Sequence, residues 1–296
     1  MLMLRNTYAI LVVTDVLGGR GMKALTIELE RAVYQPGERD KGRVLLELEK
    51  STTINKIEVE VKGLEYSHFT VVIGRYPAPC SEKNNFLKER FNVVEKGELP
   101  AGFQAYPFSF WLPENALPTY EGSGIHIKYT IKARVDIPWA IDIREKRDLQ
   151  VNLDPQPKLA VSDSPTFQGG TETKPPWFEA QLERNRYLVN ETINGRLIVH
   201  NPTTKRIRKA TINLFTLEDR RAKGYSDTKR KKQLTHEIEG ENIMDGLPIE
   251  FQIQIPDTVP GTYSGLLTGV KWVMQVRLDI AMGIDVTEEQ PIYIYR

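Results

Sequence analysis

The chain has 296 residues, with 40 basic and 39 acidic side chains, a formal net charge of +1 and a single cysteine. This length favours about two domains, each large enough to bury a core. The balanced charge gives no reason to expect specific nucleic-acid binding, which normally accompanies a marked basic excess. One cysteine cannot form an internal disulfide, so a reducing compartment and a cytoplasmic location are expected.

Residues 1–22 precede the first regular pattern and are interpreted as an N-terminal extension. Their apolar run, Tyr8–Val13, is shorter than the roughly 7–15 residues of a secretory h-region. A signal peptide, an extra edge strand and a non-native extension ahead of a start at Met22 are the three alternatives. The last is favoured because the alternation of apolar and polar residues begins only at Leu25.

From Leu25 onward the sequence alternates with a period of two. The segments Leu25–Leu29, Val44–Leu48 and Ile57–Val61 show this pattern, which is typical of strands with one buried face. Turns are predicted at Pro36–Gly37 and Asn84–Asn85. Strands are predicted near residues 25–33, 42–49, 54–62, 68–73, 86–94, 104–111, 125–136 and 141–153. Strands of this number and spacing predict an antiparallel β-sandwich, with no amphipathic helix.

The second half of the chain repeats the first. At an offset of 153, seven of the 18 positions from 29 to 46 are identical, where composition alone would give about one. The same offset pairs Glu65 with Glu218, and from residue 113 onward an offset of 143 pairs Tyr120 with Tyr263. An internal repeat of this length indicates two copies of one folding unit.

The repeat sets the predicted domain organisation. The fold is expected to be all-β, with two tandem immunoglobulin-like antiparallel β-sandwiches at residues 23–153 and 177–296. Residues 154–176 contain five prolines and a Gly-Gly pair. This composition predicts a proline-rich, extended linker between the sandwiches.

Several motifs carry a family resemblance. They are Tyr34–Glu38 (YQPGE), Gly42–Leu48, Leu99–Phe103, Pro107–Pro113, Leu117–Tyr120 and Ile127–Ala133. As a set they resemble the N-terminal domain of arrestins, and the degenerate second copy resembles the arrestin C-terminal domain. The resemblance is closer to the α-arrestin and retromer-subunit branches than to the arrestins that desensitise receptors.

The resemblance implies a non-enzymatic scaffold or adaptor that binds a protein partner. The cytoplasmic part of a membrane protein is the favoured partner. An exposed edge strand or a concave surface between the sandwiches would offer the binding surface. Two alternatives stay open: a small-ligand-binding protein or enzyme with its site at the domain junction, and a self-assembling structural protein.

No catalytic, metal-binding or cofactor-binding residues are predicted. The four histidines are scattered singly, and Cys80 is expected in an exposed loop without a partner base. Asp136 with Asp142 and Asp279 with Asp285 could suggest a carboxylate site. Because the pair recurs at the same place in both copies, a structural turn inherited through duplication is the favoured interpretation.

One stretch departs from the overall charge balance. Residues 205–232 contain eleven basic and three acidic side chains. The densest part is expected at a hairpin tip or loop and forms a candidate binding patch: Arg220, Arg221, Lys223, Lys229, Arg230, Lys231 and Lys232. Such clusters can bind anionic surfaces, so a weak contact with an anionic membrane, beside the protein partner, is one interpretation of the patch. A solvated loop is the favoured interpretation.

Overall fold

The computed structural model describes residues 22–153, 162–201, 203 and 205–296. Apart from a 3-10 turn at Gly240–Asn242, the regular elements of these residues are β-strands. The first repeat contains β1 (Met22–Leu29), β2 (Val33–Tyr34), β3 (Arg39–Leu48), β4 (Thr52–Ile54), β5 (Lys56–Ile73), β6 (Tyr76–Val94), β7 (Gly97–Leu99), β8 (Gly102–Trp111), β9 (Tyr120–Glu121), β10 (Ile125–Asp136) and β11 (Ile143–Val151). The rest of the chain contains β12 (Thr166–Gly169), β13 (Trp177–Leu182), β14 (Arg186–Leu188), β15 (Thr192–His200), β16 (Ile207–Ala222), β17 (Tyr225–Glu239), β18 (Pro248–Gln254), β19 (Tyr263–Ser264), β20 (Thr268–Ile280) and β21 (Val286–Tyr295).

The first repeat is built from two main sheets. The smaller has the strand order β1-β3-β8, and the larger has the order β2-β11-β10-β5-β6, with β9 beside β10. Residues along β3 and β10 alternate between buried and more exposed positions. Each of these strands therefore turns one apolar face inward, as the period of two predicts.

The second repeat has the same topology. Its larger sheet runs β14-β21-β20-β16-β17 with β19 beside β20, which matches the larger sheet of the first repeat strand for strand. Its smaller sheet runs β12-β13-β15-β18, in which β12 is an additional edge strand. The recorded pairings are antiparallel except for β14 with β21. The predicted all-β class with two sandwich-type domains is confirmed.

Two strands of the first repeat are longer than predicted. The segments predicted at 54–62 and 68–73 fall mainly in one 18-residue strand, β5. The turn predicted at Asn84–Asn85 is wrong, because both residues lie inside β6. The hairpin instead turns at Gly74–Arg75, where Gly74 has a φ of +64°. A positive φ favours glycine, whereas asparagine also occurs within strands.

The region between the repeats departs from the predicted linker. Thr166–Gly169 forms β12, which pairs with β13 from Thr166 opposite Gln181 to Gly169 opposite Phe178. Part of the stretch predicted to be linker is therefore sheet. Residues 154–161 of the predicted linker lie outside the described residues, as do residues 1–21 of the predicted extension, and β1 begins at Met22.

The described chain forms two compact units that do not follow the repeat boundary. Unit 1 contains residues up to Gly63 together with Leu87–Glu114 and Tyr129–Gln150. Unit 2 contains Leu64–Phe86, Asn115–Lys128 and Val151–Arg296. Unit 2 thus combines the second repeat with the ends of β5, β6 and β10 from the first, so residues of both repeats meet inside one packed body.

Gly42 on β3 and its repeat counterpart Gly195 on β15 each lie against an aromatic ring, with no room for a larger side chain. A Cβ added at Gly42 would lie 2.5 Å from the ring of Phe108, and one at Gly195 would overlap the ring of Phe251. We expect Gly42→Ala and Gly195→Ala each to lower the free energy of unfolding by about 1–3 kcal/mol, because overpacking forces side chains to shift. Urea denaturation measures this effect.

The matched control is Gly97→Ala on β7, where an added Cβ would meet its nearest neighbour at 4.0 Å. This variant should not lose stability. A loss at Gly42 or Gly195 no larger than at Gly97 would contradict the packing account.

Candidate functional site

Glu65 lies on β5 and is fully buried. Its Oε1 accepts hydrogen bonds from the backbone N–H groups of Leu267 at 2.9 Å and Thr268 at 2.8 Å, and from Thr268 Oγ1 at 2.9 Å. Its Oε2 accepts a hydrogen bond from Asn84 Nδ2 at 3.3 Å. A buried carboxylate is strongly destabilising unless donors replace its water. Here those donors come mainly from the turn between β19 and β20.

Glu218 occupies the corresponding position on β16 and is also buried. Its Oε1 accepts a hydrogen bond from the Tyr120 hydroxyl at 2.6 Å, and its Oε2 accepts one from the Ser123 backbone N–H at 3.0 Å. These donors lie in and after β9. Each repeat therefore contributes a glutamate that holds the turn of the other repeat. We call Glu65, Glu218 and the two turns at residues 120–123 and 265–268 the glutamate clasp.

The clasp requires glycine in both turns. A Cβ at Gly265 would overlap Oε1 of Glu65, and a Cβ at Gly122 would lie 2.8 Å from Oε1 of Glu218. The repeat offset pairs these two glycines with each other. Glycine is thus needed for the close approach of carboxylate to backbone, because any side chain would push the carboxylate away.

The clasp supports packing and supplies no free reactive group. All four carboxylate oxygens of Glu65 and Glu218 already accept hydrogen bonds. Within the described residues no group of three or more His, Cys, Asp or Glu side chains could hold a metal ion. The two carboxylates therefore act by accepting hydrogen bonds that stabilise the two turns.

Burial changes the acidity of the two tyrosines of this region. Desolvation raises the pKa of Tyr120, and its hydrogen bond to the Glu218 carboxylate raises it further. Desolvation likewise raises the pKa of Tyr263, whose hydroxyl lies 3.3 Å from Thr268 Oγ1. The two rings pack with their centroids 5.6 Å apart. Both hydroxyls therefore stay protonated, and the one on Tyr120 donates to the clasp.

The first two residues of the candidate patch contact the clasp. Arg220 Nη1 donates to the Ser123 carbonyl at 3.1 Å, and its Nη2 pairs with Asp227. Arg221 Nη1 donates to the carbonyls of Gly265 and Leu266, each at 3.2 Å. These carbonyls belong to the two clasp turns, so both arginines are engaged in internal contacts.

The other five residues of the patch lie in the hairpin turn at residues 223–224 or after it, and all are exposed: Lys223, Lys229, Arg230, Lys231 and Lys232. The predicted hairpin tip is present, but among these five residues only Lys223 lies in it. The last four residues lie within β17. Their side chains offer positive charge along a strand and not on a loop.

Cys80 differs from its predicted position. It lies on β6 with 4% of its surface exposed, against Phe69 and Ala222, and its Sγ donates to the Ala222 carbonyl at 3.3 Å. The expectation of an exposed loop is therefore wrong. The local sequence PAPCS resembles a loop because of its prolines, yet an edge strand accepts proline at positions that need no ladder donor.

The repeated aspartates lie in equivalent turns. Asp142 pairs with Arg134 at 2.8 Å, and Asp285 pairs with Arg277 and accepts the backbone N–H of Ile280 at 3.0 Å. The hydrogen bond from Arg277 lowers the pKa of Asp285. Each carboxylate thus pairs with an arginine on the strand before its turn, in agreement with the structural interpretation.

The four histidines do not form one cluster, although His68 and His126 lie together with their ring centroids 6.5 Å apart. His126 Nδ1 lies 2.7 Å from Glu121 Oε1, and the ring of His126 stacks with that of Tyr66 at 5.7 Å. His200 stacks on Trp177 at 3.9 Å. These rings pack on strand faces, and each makes a local contact.

Both repeats match models of a known protein family. Residues 25–154 match the family model described as the arrestin (or S-antigen) N-terminal domain, and residues 173–296 match the arrestin (or S-antigen) C-terminal domain. The chain belongs to the arrestin family. The similar strand order of its two repeats is the structural counterpart of these two matches.

Curated relatives agree with this assignment. Arrestin domain-containing protein 17 of Caenorhabditis elegans is 32% identical over 143 residues, which is 43% of this chain and 34% of that protein. Arrestin domain-containing protein 1 is 32% identical in Mus musculus and 28% in Homo sapiens, each over 108 residues, 36% of this chain and 24% of the relative. The matches thus span about a quarter to a third of the length of these relatives. No helix in the described ranges has the length and apolar character needed to cross a membrane.

The glutamate clasp predicts that Gly265→Ala is strongly destabilising. The added methyl would displace the Glu65 carboxylate and leave buried N–H groups without an acceptor, which costs about 1–3 kcal/mol for each group. The control is Gly269→Ala on β20, where the added Cβ would lie 3.4 Å from its nearest neighbour. Urea denaturation should show a loss of stability well above that of the control. Equal stability of the two variants would disprove the clasp.

We expect Tyr120→Phe to lower the free energy of unfolding by an amount that depends on pH. At neutral pH the loss of a hydrogen bond to a carboxylate should lower the free energy of unfolding by about 1–3 kcal/mol. The raised pKa of Tyr120 stabilises the folded state fully below the unfolded value of about 10, and this contribution is lost as pH rises above it.

The difference between wild type and Tyr120→Phe should therefore shrink above about pH 10. Denaturation at pH near 8 and near 11 measures it, with the exposed Tyr225→Phe as the control. A difference that does not change with pH would contradict the assignment.

Proposed function

We propose that the chain is a non-enzymatic adaptor that binds a protein partner, and that this partner is the cytoplasmic part of a membrane protein. The proposal places the chain in the cytoplasm. It draws on the family, whose members are generally non-enzymatic adaptors, and on the similarity to arrestin domain-containing proteins.

The observation that carries the proposal is the contrast between the engaged clasp and the exposed strand β17. The buried carboxylates accept hydrogen bonds from the chain itself, so they cannot act as bases or ligands without loss of packing. β17 instead exposes a run of cations at the end of a sheet. An exposed cationic surface of this kind suits binding better than catalysis.

The alternatives from the sequence have less support. A small-ligand site or an active site needs convergent polar groups that are free to bind, whereas the convergent groups of unit 2 pair with one another. Self-assembly as a structural protein would show as large species in light scattering. The exposed part of the seven-residue patch, from Lys223 onward, remains the candidate binding surface, with a weak membrane contact as a secondary expectation from its exposed lysines.

Affinity capture followed by reconstitution tests the adaptor function. The full chain is used to capture proteins from extract and from detergent-solubilised membranes. Captured membrane proteins are then produced as purified cytoplasmic segments and titrated against the chain. We expect saturable binding of at least one segment. If no purified segment rebinds the chain, the proposal is wrong.

A further inference from the structure

β17 is an edge strand with a free side. It pairs with β16 along residues from Lys209 opposite Glu239 to Ala222 opposite Tyr225, and it ends the strand order of its sheet. In the described part of the chain no strand pairs with its other side. Its outward N–H and C=O groups therefore form a row that an extended peptide can extend as a new strand.

Four consecutive residues of this edge strand are cationic. Lys229, Arg230, Lys231 and Lys232 are all exposed. Arg230 pairs with Glu289 on β21 at 2.7 Å, and this pairing lowers the pKa of the Glu289 carboxyl. The three lysines have no carboxylate within ion-pair distance in the described residues.

The acidic residues near these lysines contact other partners. Asp227 pairs with Arg220. Glu218 lies opposite Lys229 in the strand register, yet its carboxylate accepts from the Tyr120 hydroxyl and the Ser123 backbone. Lys229 Nζ instead donates to Ser123 Oγ at 2.5 Å. The positive charge of the lysines is therefore not neutralised within the fold.

The four cations are divided between the two faces of the sheet. Arg230 and Lys232 share one face, since both lie over the ring of Phe215, at 3.8 Å and 5.8 Å from its centroid. Lys229 and Lys231 project from the other face, because successive side chains of a strand alternate. A flat anionic membrane could contact one of these pairs at a time, whereas a strand added at the edge meets both.

We propose that β17 binds, by strand addition, an extended peptide with about four consecutive acidic residues. Directly opposite side chains on paired strands lie about 4.5–5.5 Å apart at Cβ, and opposite charges there attract. An added strand whose consecutive residues alternate between faces places one carboxylate opposite each cation. The inference rests on the proposed adaptor function and specifies the chemistry of the segment that the partner supplies.

The test uses the full chain and synthetic peptides of about eight residues, a common strand length. One peptide has four consecutive Asp and Glu residues between Thr and Val. A second has the same composition with its acidic residues at every other position, so that all of them face one side. We expect the first peptide to bind saturably and the second to bind about tenfold more weakly, since it can use only two of the four cations.

Backbone pairing is tested with N-methylated versions of the first peptide. The amides of an extended peptide point alternately toward β17 and away from it. Methylation of one set of alternate amides blocks the N–H groups that face β17, and methylation of the other set, the second register, leaves them free. One register should abolish binding and the other should retain it. Equal binding of the two registers would show that charge alone holds the peptide, and strand addition would be wrong.

The variant Lys231→Glu/Lys232→Glu tests the surface itself and leaves the pair of Arg230 with Glu289 and the clasp intact. Reversal of two of four opposed charges should weaken peptide binding by about tenfold or more. The control, Lys83→Glu/Lys88→Glu, makes the same charge change on β6, which is the edge of the first repeat's larger sheet. It should bind like wild type.

The remaining outcomes are also decisive. Stronger binding to vesicles with anionic lipid than to the acidic peptide, lost in Lys231→Glu/Lys232→Glu, would assign the surface to membranes and overturn the proposal. No peptide binding, together with self-association of this variant, would show that the lysines only protect an edge strand. If purified partner segments still bind the variant unchanged, the adaptor function stands and the assignment to β17 fails.

Discussion

Two carboxylates buried among apolar strands set the main constraint on unit 2. Glu65 and Glu218 would each destabilise the packed body if they lacked donors. The donors are supplied almost entirely by two turns, so the turns must approach closely, and Gly122 and Gly265 make that approach sterically feasible. The geometry of the turns, the glycines and the buried tyrosines all follow from satisfying two negative charges away from water.

Duplication explains why the constraint appears twice. Glu65 on β5 contacts a turn of the second repeat, and Glu218 on β16 contacts the equivalent turn of the first. The two interactions therefore involve equivalent positions of the two repeats. Arg220 and Arg221 add donors that point at one turn each. Neighbouring residues on one strand point to opposite faces, which is why adjacent arginines can contact two different turns.

Part of this site could be predicted from the sequence. The alternation of Ile57, Val59 and Val61 places Glu65 on the inward side of the same strand, and the repeat offset marks Glu218 as its counterpart. Position alone therefore indicates two buried acids. The donors could not be predicted, because they depend on how far β5 and β16 extend and on which turns then come within hydrogen-bond distance.

The errors in the prediction have a related cause. Asn84–Asn85 and the prolines around Cys80 are typical of turns and loops, but here they lie in a 19-residue strand, β6. Local propensity is a weak guide where a long hairpin continues beyond its own sandwich and tertiary contacts stabilise it. The predicted strands inside the sandwiches, where alternation reflects a complete core, agree more closely with the structure.

The basic run shows how topology, and not charge count, divides residues between structure and binding. Arg220 and Arg221 lie on β16, an interior strand with β20 on one side and β17 on the other. Lys231 and Lys232 follow the hairpin turn and lie on the edge. A cation on the interior strand is close to backbone carbonyls and carboxylates of its own unit, whereas a cation on the edge strand is close to solvent on its open side. The same sequence composition therefore supports the fold before the turn and leaves charge available to a partner after it.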